Sequence, residues 1–105
     1  MFFFSMVSWS AVYTSIADGS YNDCSIWDNG CPGNLIPVGD TVVINNVVGV
    51  SSPMTIRGVL IINGSGSLAT SNYAEISETG TMINDGDFVC NAEFEINGYF
   101  YQSGL

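Results

Sequence analysis

Apolar residues in this chain come in short runs that Gly, Asn, Asp or Ser interrupt every few positions. β-branched and aromatic residues dominate these runs, a composition that disfavours helix and favours strand. The interrupting residues are those that tight turns require. From Asp40 onward the pattern predicts an all-β chain of short strands at even spacing, in the segments "TVVINNVVGV", "MTIRGVLII", "YAEIS", "FVC", "AEFEI" and "YFY".

The first 40 residues have a different pattern of apolar and polar residues. Two apolar runs, Phe2 to Trp9 and Ala11 to Ile16, predict strands, and a long polar loop rich in Cys, Pro and Gly follows them. No Lys or Arg precedes the first run, so we interpret it as a structural strand; the alternative is a signal remnant or a misassigned start. A length of 105 residues predicts one domain, with this N-terminal region at 1–40 and strand-rich coils at 41–105.

Three heptapeptides in the second half share one pattern: "GVLIING", "GTMINDG" and "GYFYQSG". Their steps of 22 and 18 residues average close to one coil of a β-solenoid, so we predict about three coils. The shared apolar residue, Leu60, Met82 or Phe100, would stack on its counterparts. Glycine would serve positive φ or close backbone approach at repeat corners, which are Gly58, Gly64, Gly80, Gly86, Gly98 and Gly104. A β-sandwich or jelly roll is the alternative fold.

Charge excludes several function classes. The chain has ten acidic residues, one basic residue (Arg57) and no His, for a net charge of −9. It therefore lacks the basic surface that nucleic acids or anionic membranes require, and its apolar start is too short to insert into a bilayer. There is no His to serve as the base for a Ser or Cys nucleophile and no Lys to form a Schiff base, so we predict no enzyme. The carboxylates of Glu93 and Glu95 are expected on the solvent side of a strand.

The polar loop holds two of the three cysteines. Cys24 and Cys31 are close enough in sequence to close a small disulfide loop in an oxidising compartment, or to stay reduced inside a cell. Three thiols without His make a zinc site improbable. Asp18, Asn22 and Asp23 are weak candidates for calcium, with ordinary turns as the alternative, and we predict no other cofactor.

The lead-in to these coils resembles a known class of module. "YTSIADGSYNDCSIWDNGCPGNLIPVGDTVVIN", followed by "GVLIINGSGSLATSN" and "GTMINDG", is similar to the right-handed β-helical repeats of bacterial surface proteins. These include G8-like modules and the adhesins common in Bacteroidetes. Short β-solenoid subunits of this kind also resemble parts of viral fibres. The resemblance implies a right-handed solenoid but no activity. The matching residues are Trp27, Pro37, Gly39, Asp40, Val42 and Ile44 in the lead-in, and Gly80, Met82, Asn84 and Gly86 at a corner.

Two function classes follow. The first is a non-enzymatic structural protein, a self-assembling subunit of an extracellular, cell-surface or virion fibre, because "YFYQSGL" shows no polar cap over the last coil. It would form a trimer or head-to-tail fibre, alone or with other surface or virion proteins. The expected interface comprises Phe2, Phe3, Phe4, Trp9, Tyr99, Phe100, Tyr101 and Leu105. The second class is a carbohydrate-binding or adhesion module, in which exposed aromatics stack on glycans: Tyr21, Trp27, Tyr73, Tyr99 or Tyr101.

Overall fold

The chain folds into three parallel sheets. The computed structural model describes residues 10–103, which contain thirteen short strands, numbered in chain order, and one 3-10 helix, Cys24–Ile26. The first sheet comprises β1 (Val12–Thr14), β4 (Thr41–Ile44), β7 (Val59–Ile62), β10 (Thr81–Asn84) and β13 (Tyr99–Gln102). The second comprises β2 (Gly19–Ser20), β5 (Val47–Val50), β8 (Ser67–Thr70) and β11 (Asp87–Cys90). The third comprises β3 (Leu35–Ile36), β6 (Met54–Ile56), β9 (Ala74–Ile76) and β12 (Phe94–Ile96).

Each strand from β1 to β10 pairs in parallel with the strand three places later in the chain, so the backbone winds as a β-solenoid. The register joins Thr41 to Val59 and Val59 to Thr81, steps of 18 and 22 residues. The strands β4 to β12 form three regular coils, and β13 lies on β10. The predicted solenoid is therefore confirmed. The antiparallel sandwich is wrong, because every ladder between named strands is parallel.

Alternate side chains of each strand point into the solenoid and stack on their counterparts in the next coil. Val42, Leu60 and Met82 form one such column, and all three are fully buried. Phe100 continues the column on β13. The stacking predicted for the shared apolar residue of the repeat is thus present. This mainly apolar interior is the main source of stability, because strands this short have little preference for order on their own.

Close backbone approach explains the corner glycines that precede the first sheet. A Cβ atom on Gly58, Gly80 or Gly98 would collide with carbonyl oxygens of the corner below, and none of the three has positive φ. Two roles were predicted for these glycines, positive φ and close backbone approach. The structure shows close backbone approach at all three.

One repeat position needs a correction. Gly64 lies in the turn after β7, but the glycine that stacks beneath Gly86 is Gly66, which precedes β8 as Gly86 precedes β11. A Cβ on Gly66 would strike the Ile44 carbonyl, whereas a Cβ on Gly64 would make only an ordinary contact, 3.9 Å, with the Asp85 carbonyl oxygen. The turn after β7 is two residues longer than its counterpart after β10. Counting residues from the preceding glycine therefore aligns Gly64 with Gly86, although Gly66 is the structural equivalent.

The N-terminal region already belongs to the solenoid. β1, β2 and β3 are the edge strands of the three sheets and together form the first coil. The change of sequence pattern near residue 40 therefore marks no structural boundary. The strand predicted at Ala11 to Ile16 is present as β1, whereas the one predicted at Phe2 to Trp9 lies outside the described residues. The polar loop leaves the first coil between β2 and β3. Sequence patterns missed β8, because "SLAT" carries few of the residues typical of strands.

Thr70 places a hydroxyl where its coil neighbours place apolar groups. Its side chain is buried between Val50 and Cys90 in the second sheet, and Oγ1 has no hydrogen-bond partner among the described residues. Replacing Thr70 by the isosteric Val should raise the free energy of unfolding by about 1 kcal/mol, because it removes a buried unpaired hydroxyl. Urea denaturation measures this, with Thr55→Val on the outer side of β6 as the control. Equal effects of both substitutions would contradict the prediction.

Candidate functional site

The polar loop between β2 and β3 covers the N-terminal end of the solenoid. Asp28 accepts a hydrogen bond from the Thr14 backbone N–H at 2.9 Å through Oδ1, and its own N–H donates to the Thr14 carbonyl at 3.0 Å. The Ile16 N–H donates to the Ile26 carbonyl at 2.7 Å. These bonds pair the Thr14 N–H and carbonyl on the edge of β1 that faces away from β4, and they continue past the end of the strand at Ile16. The loop thus acts as a cap, and we call residues 21–34 the N-terminal cap.

Two aromatic residues form the interior of this cap. Tyr21 is 0% exposed and Trp27 is 3% exposed, and their rings meet edge to face with centroids 5.3 Å apart. Trp27 Nε1 donates to the Tyr21 carbonyl at 2.9 Å, and the Tyr21 hydroxyl donates to the Gly33 carbonyl at 2.8 Å. Burial raises the pKa of Tyr21 far above its ordinary value. The expectation that these two rings are exposed for glycan stacking is therefore wrong.

A disulfide joins Cys24 to Cys31 and closes the cap across its 3-10 helix. Asp23 begins that helix: its Oδ1 accepts from the Ser25 N–H at 3.0 Å and from the Ser25 hydroxyl at 2.7 Å. These two bonds, the hydroxyl bond first, lower the pKa of the Asp23 carboxyl. Cys90 lies apart, on β11, as a free thiol.

The three calcium candidates are held by separate hydrogen bonds. Asp18 Oδ1 accepts from the Val47 N–H at 2.9 Å, and Asn22 Nδ2 donates to Asn34 Oδ1 at 2.8 Å. Asp23 is engaged with its own helix, as described above. Within residues 10–103 no group of three or more His, Cys, Asp or Glu side chains is arranged to hold a metal ion. The side chains around the cap therefore serve turns and inter-coil contacts.

The opposite end of the solenoid is formed by aromatic rings. Phe88, Phe94 and Phe100 point inward from the last strand of the second, third and first sheet, respectively. Their centroids lie 5.0 Å apart for Phe88 and Phe94, 5.9 Å for Phe94 and Phe100, and 6.4 Å for Phe88 and Phe100. All three remain partly exposed, because no described strand lies beyond β11, β12 and β13. We call this surface the aromatic end.

The sequence analysis placed Tyr99, Phe100 and Tyr101 in one interface, but in the structure they lie on two different surfaces. Phe100 belongs to the aromatic end, whereas Tyr99 and Tyr101 alternate with it and lie on the outside of the first sheet, 59% and 56% exposed. The remaining predicted interface residues, and Gly104, lie outside the described residues: Phe2, Phe3, Phe4, Trp9 and Leu105. Sequence reasoning missed Phe88 and Phe94, although their spacing of six residues, continued by Phe100, marks the inward position of three successive strands.

Two carboxylates lie side by side on the outer side of the third sheet. Glu75 and Glu95 are register partners on adjacent strands, which is unfavourable for two like charges. Each has a neutral partner: the Tyr73 hydroxyl donates to Glu95 Oε1 at 2.5 Å, and Asn97 Nδ2 donates to Glu75 Oε2 at 3.3 Å. The bond to Glu95 is the main cause of a raised pKa for Tyr73. These contacts join neighbouring coils.

Comparison with known proteins found no match: no family model, no curated protein and no solved structure matches this chain. Within residues 10–103 the structure contains no helix of the length and apolarity that crossing a bilayer requires. The fold and its two unlike ends are therefore the basis for a functional proposal.

Proposed function

We propose that this chain is a non-enzymatic structural protein, a self-assembling β-solenoid subunit of an extracellular or virion-surface fibre. The observation that carries the proposal is the difference between its two ends. The N-terminal cap forms hydrogen bonds with the free edge of β1 at Thr14 and buries its own aromatic rings. The aromatic end leaves three phenylalanine rings partly exposed and three strand edges without a partner strand among the described residues.

The chemistry of the aromatic end fits a second β-solenoid copy. An unpaired strand edge templates another strand, and partly exposed aromatic rings gain most from burial against an apolar surface. The aromatic end of a second copy would satisfy both, because it offers strand edges and core side chains at the same spacing, whereas the N-terminal cap covers the other end of that copy. The disulfide in the cap supports an oxidising location such as the cell surface or the outside of a virion.

Phe100→Asp tests this proposal. The unmodified chain should form oligomers or filaments, and Phe100→Asp should release monomers, because a buried unpaired carboxylate is costly at a contact. Light scattering coupled to size exclusion, together with electron microscopy, measures the assembly state. Val89→Asp is the matched control: Val89 lies beside Phe88 on β11, points outward and is 50% exposed. A monomeric unmodified chain, or equal loss of assembly in both variants, would overturn the proposal.

A second candidate function rests on Tyr99 and Tyr101. Their rings stack nearly parallel, at 7° and 6.4 Å between centroids, on the exposed outer side of β13. Exposed aromatic rings of this kind can pack against sugar rings, as in a carbohydrate-binding or adhesion module. Glycan-array binding that is lost in Tyr99→Ala/Tyr101→Ala and retained in Phe100→Asp would favour this candidate over assembly.

A further inference from the structure

The acidic residues of this chain are concentrated toward the two ends of the solenoid. Four lie between residues 18 and 40, six lie between residues 75 and 95, and none lies between residues 41 and 74. The first group belongs to the first coil and its cap, and the second group belongs to β9, β11, β12 and the turns beside them. The middle of the solenoid therefore carries no negative side chain.

Four of these carboxylates surround the aromatic end. Asp85 and Asp87 lie at the start of β11, Glu93 directly precedes β12, and Glu95 lies within β12. All four side chains are exposed, whereas the phenylalanines that alternate with them point inward. We call Asp85, Asp87, Glu93 and Glu95 the acidic rim. The aromatic end is thus an apolar centre with negative charge at its border.

The charge of the acidic rim is not neutralised by its neighbours. The Ser103 hydroxyl donates a hydrogen bond to Asp85 Oδ1, and the Tyr73 hydroxyl donates one to Glu95 Oε1, so both donors are uncharged. Arg57, the only basic side chain of the protein, follows β6, which lies two strands below β12 in the third sheet. The rim therefore keeps its negative charge.

Contact between two aromatic ends brings two acidic rims together. Like charges that face each other across an interface oppose association. Dissolved salt weakens this repulsion, because the distance over which exposed charges interact falls from about 30 Å at 0.01 M to about 10 Å at 0.1 M ionic strength. The burial of the phenylalanine rings does not depend on such screening. Attraction and repulsion at this surface therefore respond differently to salt.

We propose that the acidic rim makes assembly through the aromatic end dependent on ionic strength. At low ionic strength the chain is a monomer, and at high ionic strength the rims are screened and the ends associate. The partner is the second copy of the proposed function, on which the proposal rests. Charged side chains beside open strand edges commonly prevent unwanted pairing. In this chain they prevent pairing only while their repulsion is unscreened.

Sedimentation velocity of the full chain, from about 10 mM to about 300 mM NaCl at constant pH, tests the proposal. The dissociation constant of the unmodified chain should fall by about tenfold or more over this range, because the rims become screened. Asp87→Asn/Glu93→Gln removes two exposed charges from the rim of each copy. Repulsion scales with the product of the two rim charges, so about one quarter of it remains. This variant should assemble at the lowest salt concentration and lose most of the salt dependence.

Asp18→Asn/Asp23→Asn is the matched control. It removes the same net charge at the opposite end of the solenoid, and Asn keeps an Oδ1 acceptor for the Val47 and Ser25 N–H groups. This variant should keep the salt dependence of the unmodified chain.

Two results would overturn the proposal while leaving the proposed function in place. The first is assembly of the unmodified chain that is equally tight at the lowest and the highest salt concentration. The second is the same salt dependence in the rim variant and in its control, which would indicate general salting out. If neither the unmodified chain nor the rim variant assembled at any salt concentration, the proposed function would fall and this proposal with it.

Discussion

Replacing Gly80 by Ala should lower the free energy of unfolding by about 3 kcal/mol, the upper part of the usual range for overpacking a core. The added Cβ would collide with the carbonyl oxygen of Ile56 and press on a methyl group of Ile76 at 3.1 Å. That carbonyl cannot move away freely, because it accepts hydrogen bonds from the N–H and the hydroxyl of Ser77. The substitution therefore strains the contact between two coils.

Gly49→Ala is the matched control. Gly49 lies in β5 on the outer side of the second sheet, and a Cβ there would meet no atom within 4 Å. Alanine at this position should be neutral or slightly stabilising, since it reduces the freedom of the unfolded chain. Urea denaturation of both variants measures the difference. Similar stabilities for Gly80→Ala and Gly49→Ala would show that close backbone approach is not what selects glycine at the corners.

Removing the disulfide should cost about 2 to 3 kcal/mol, the value expected for a cross-link that closes a loop this short. The disulfide restricts the conformations of the unfolded chain in the segment that forms the 3-10 helix and contains Trp27. The Cys24→Ser/Cys31→Ser variant lacks this restriction, so its unfolded state is favoured. Chemical denaturation followed by tryptophan fluorescence measures the loss, and a reducing agent should reproduce it in the unmodified chain.

Cys90→Ser controls for the loss of a thiol as such. Cys90 forms no disulfide, so this variant should keep the stability of the unmodified chain and its sensitivity to reducing agent. If the double variant and Cys90→Ser were equally stable, the cap would be held by its hydrogen bonds and aromatic packing alone.

The repeat could be predicted from sequence because stacking coils require the same residue type at the same place. Leu60, Met82 and Phe100 share one column, and Gly58, Gly80 and Gly98 share one corner. The match of Gly64 to Gly86 failed because a spacing rule cannot distinguish a strand of fixed length from a turn of variable length. Only the register shows that Gly66 occupies the equivalent place.

The cap and the aromatic end were harder to predict, for a different physical reason. Tyr21 and Trp27 lie in a segment rich in Asn, Asp and Gly, so local composition indicates an exposed loop; their burial depends on contact with β1, which lies earlier in the chain. Phe88 and Phe94 resemble ordinary core positions in sequence. Their partial exposure follows from their place in the last described coil, which no local pattern encodes.

The turns of this solenoid differ in length, and this difference shows where the chain can accept additional residues. The turn from β7 to β8 holds four residues and the turn from β10 to β11 holds two, yet Ser67 still pairs with Asp87, and Ile62 with Asn84. The two additional residues are accommodated within one corner, and the strands on either side of it keep the same register with the next coil. A turn of this solenoid can therefore differ by two residues without changing the register of the strands beside it. Within the corner at residues 63–66, Gly64 is accordingly the position at which to graft a foreign peptide for display, because Gly66 packs against the Ile44 carbonyl.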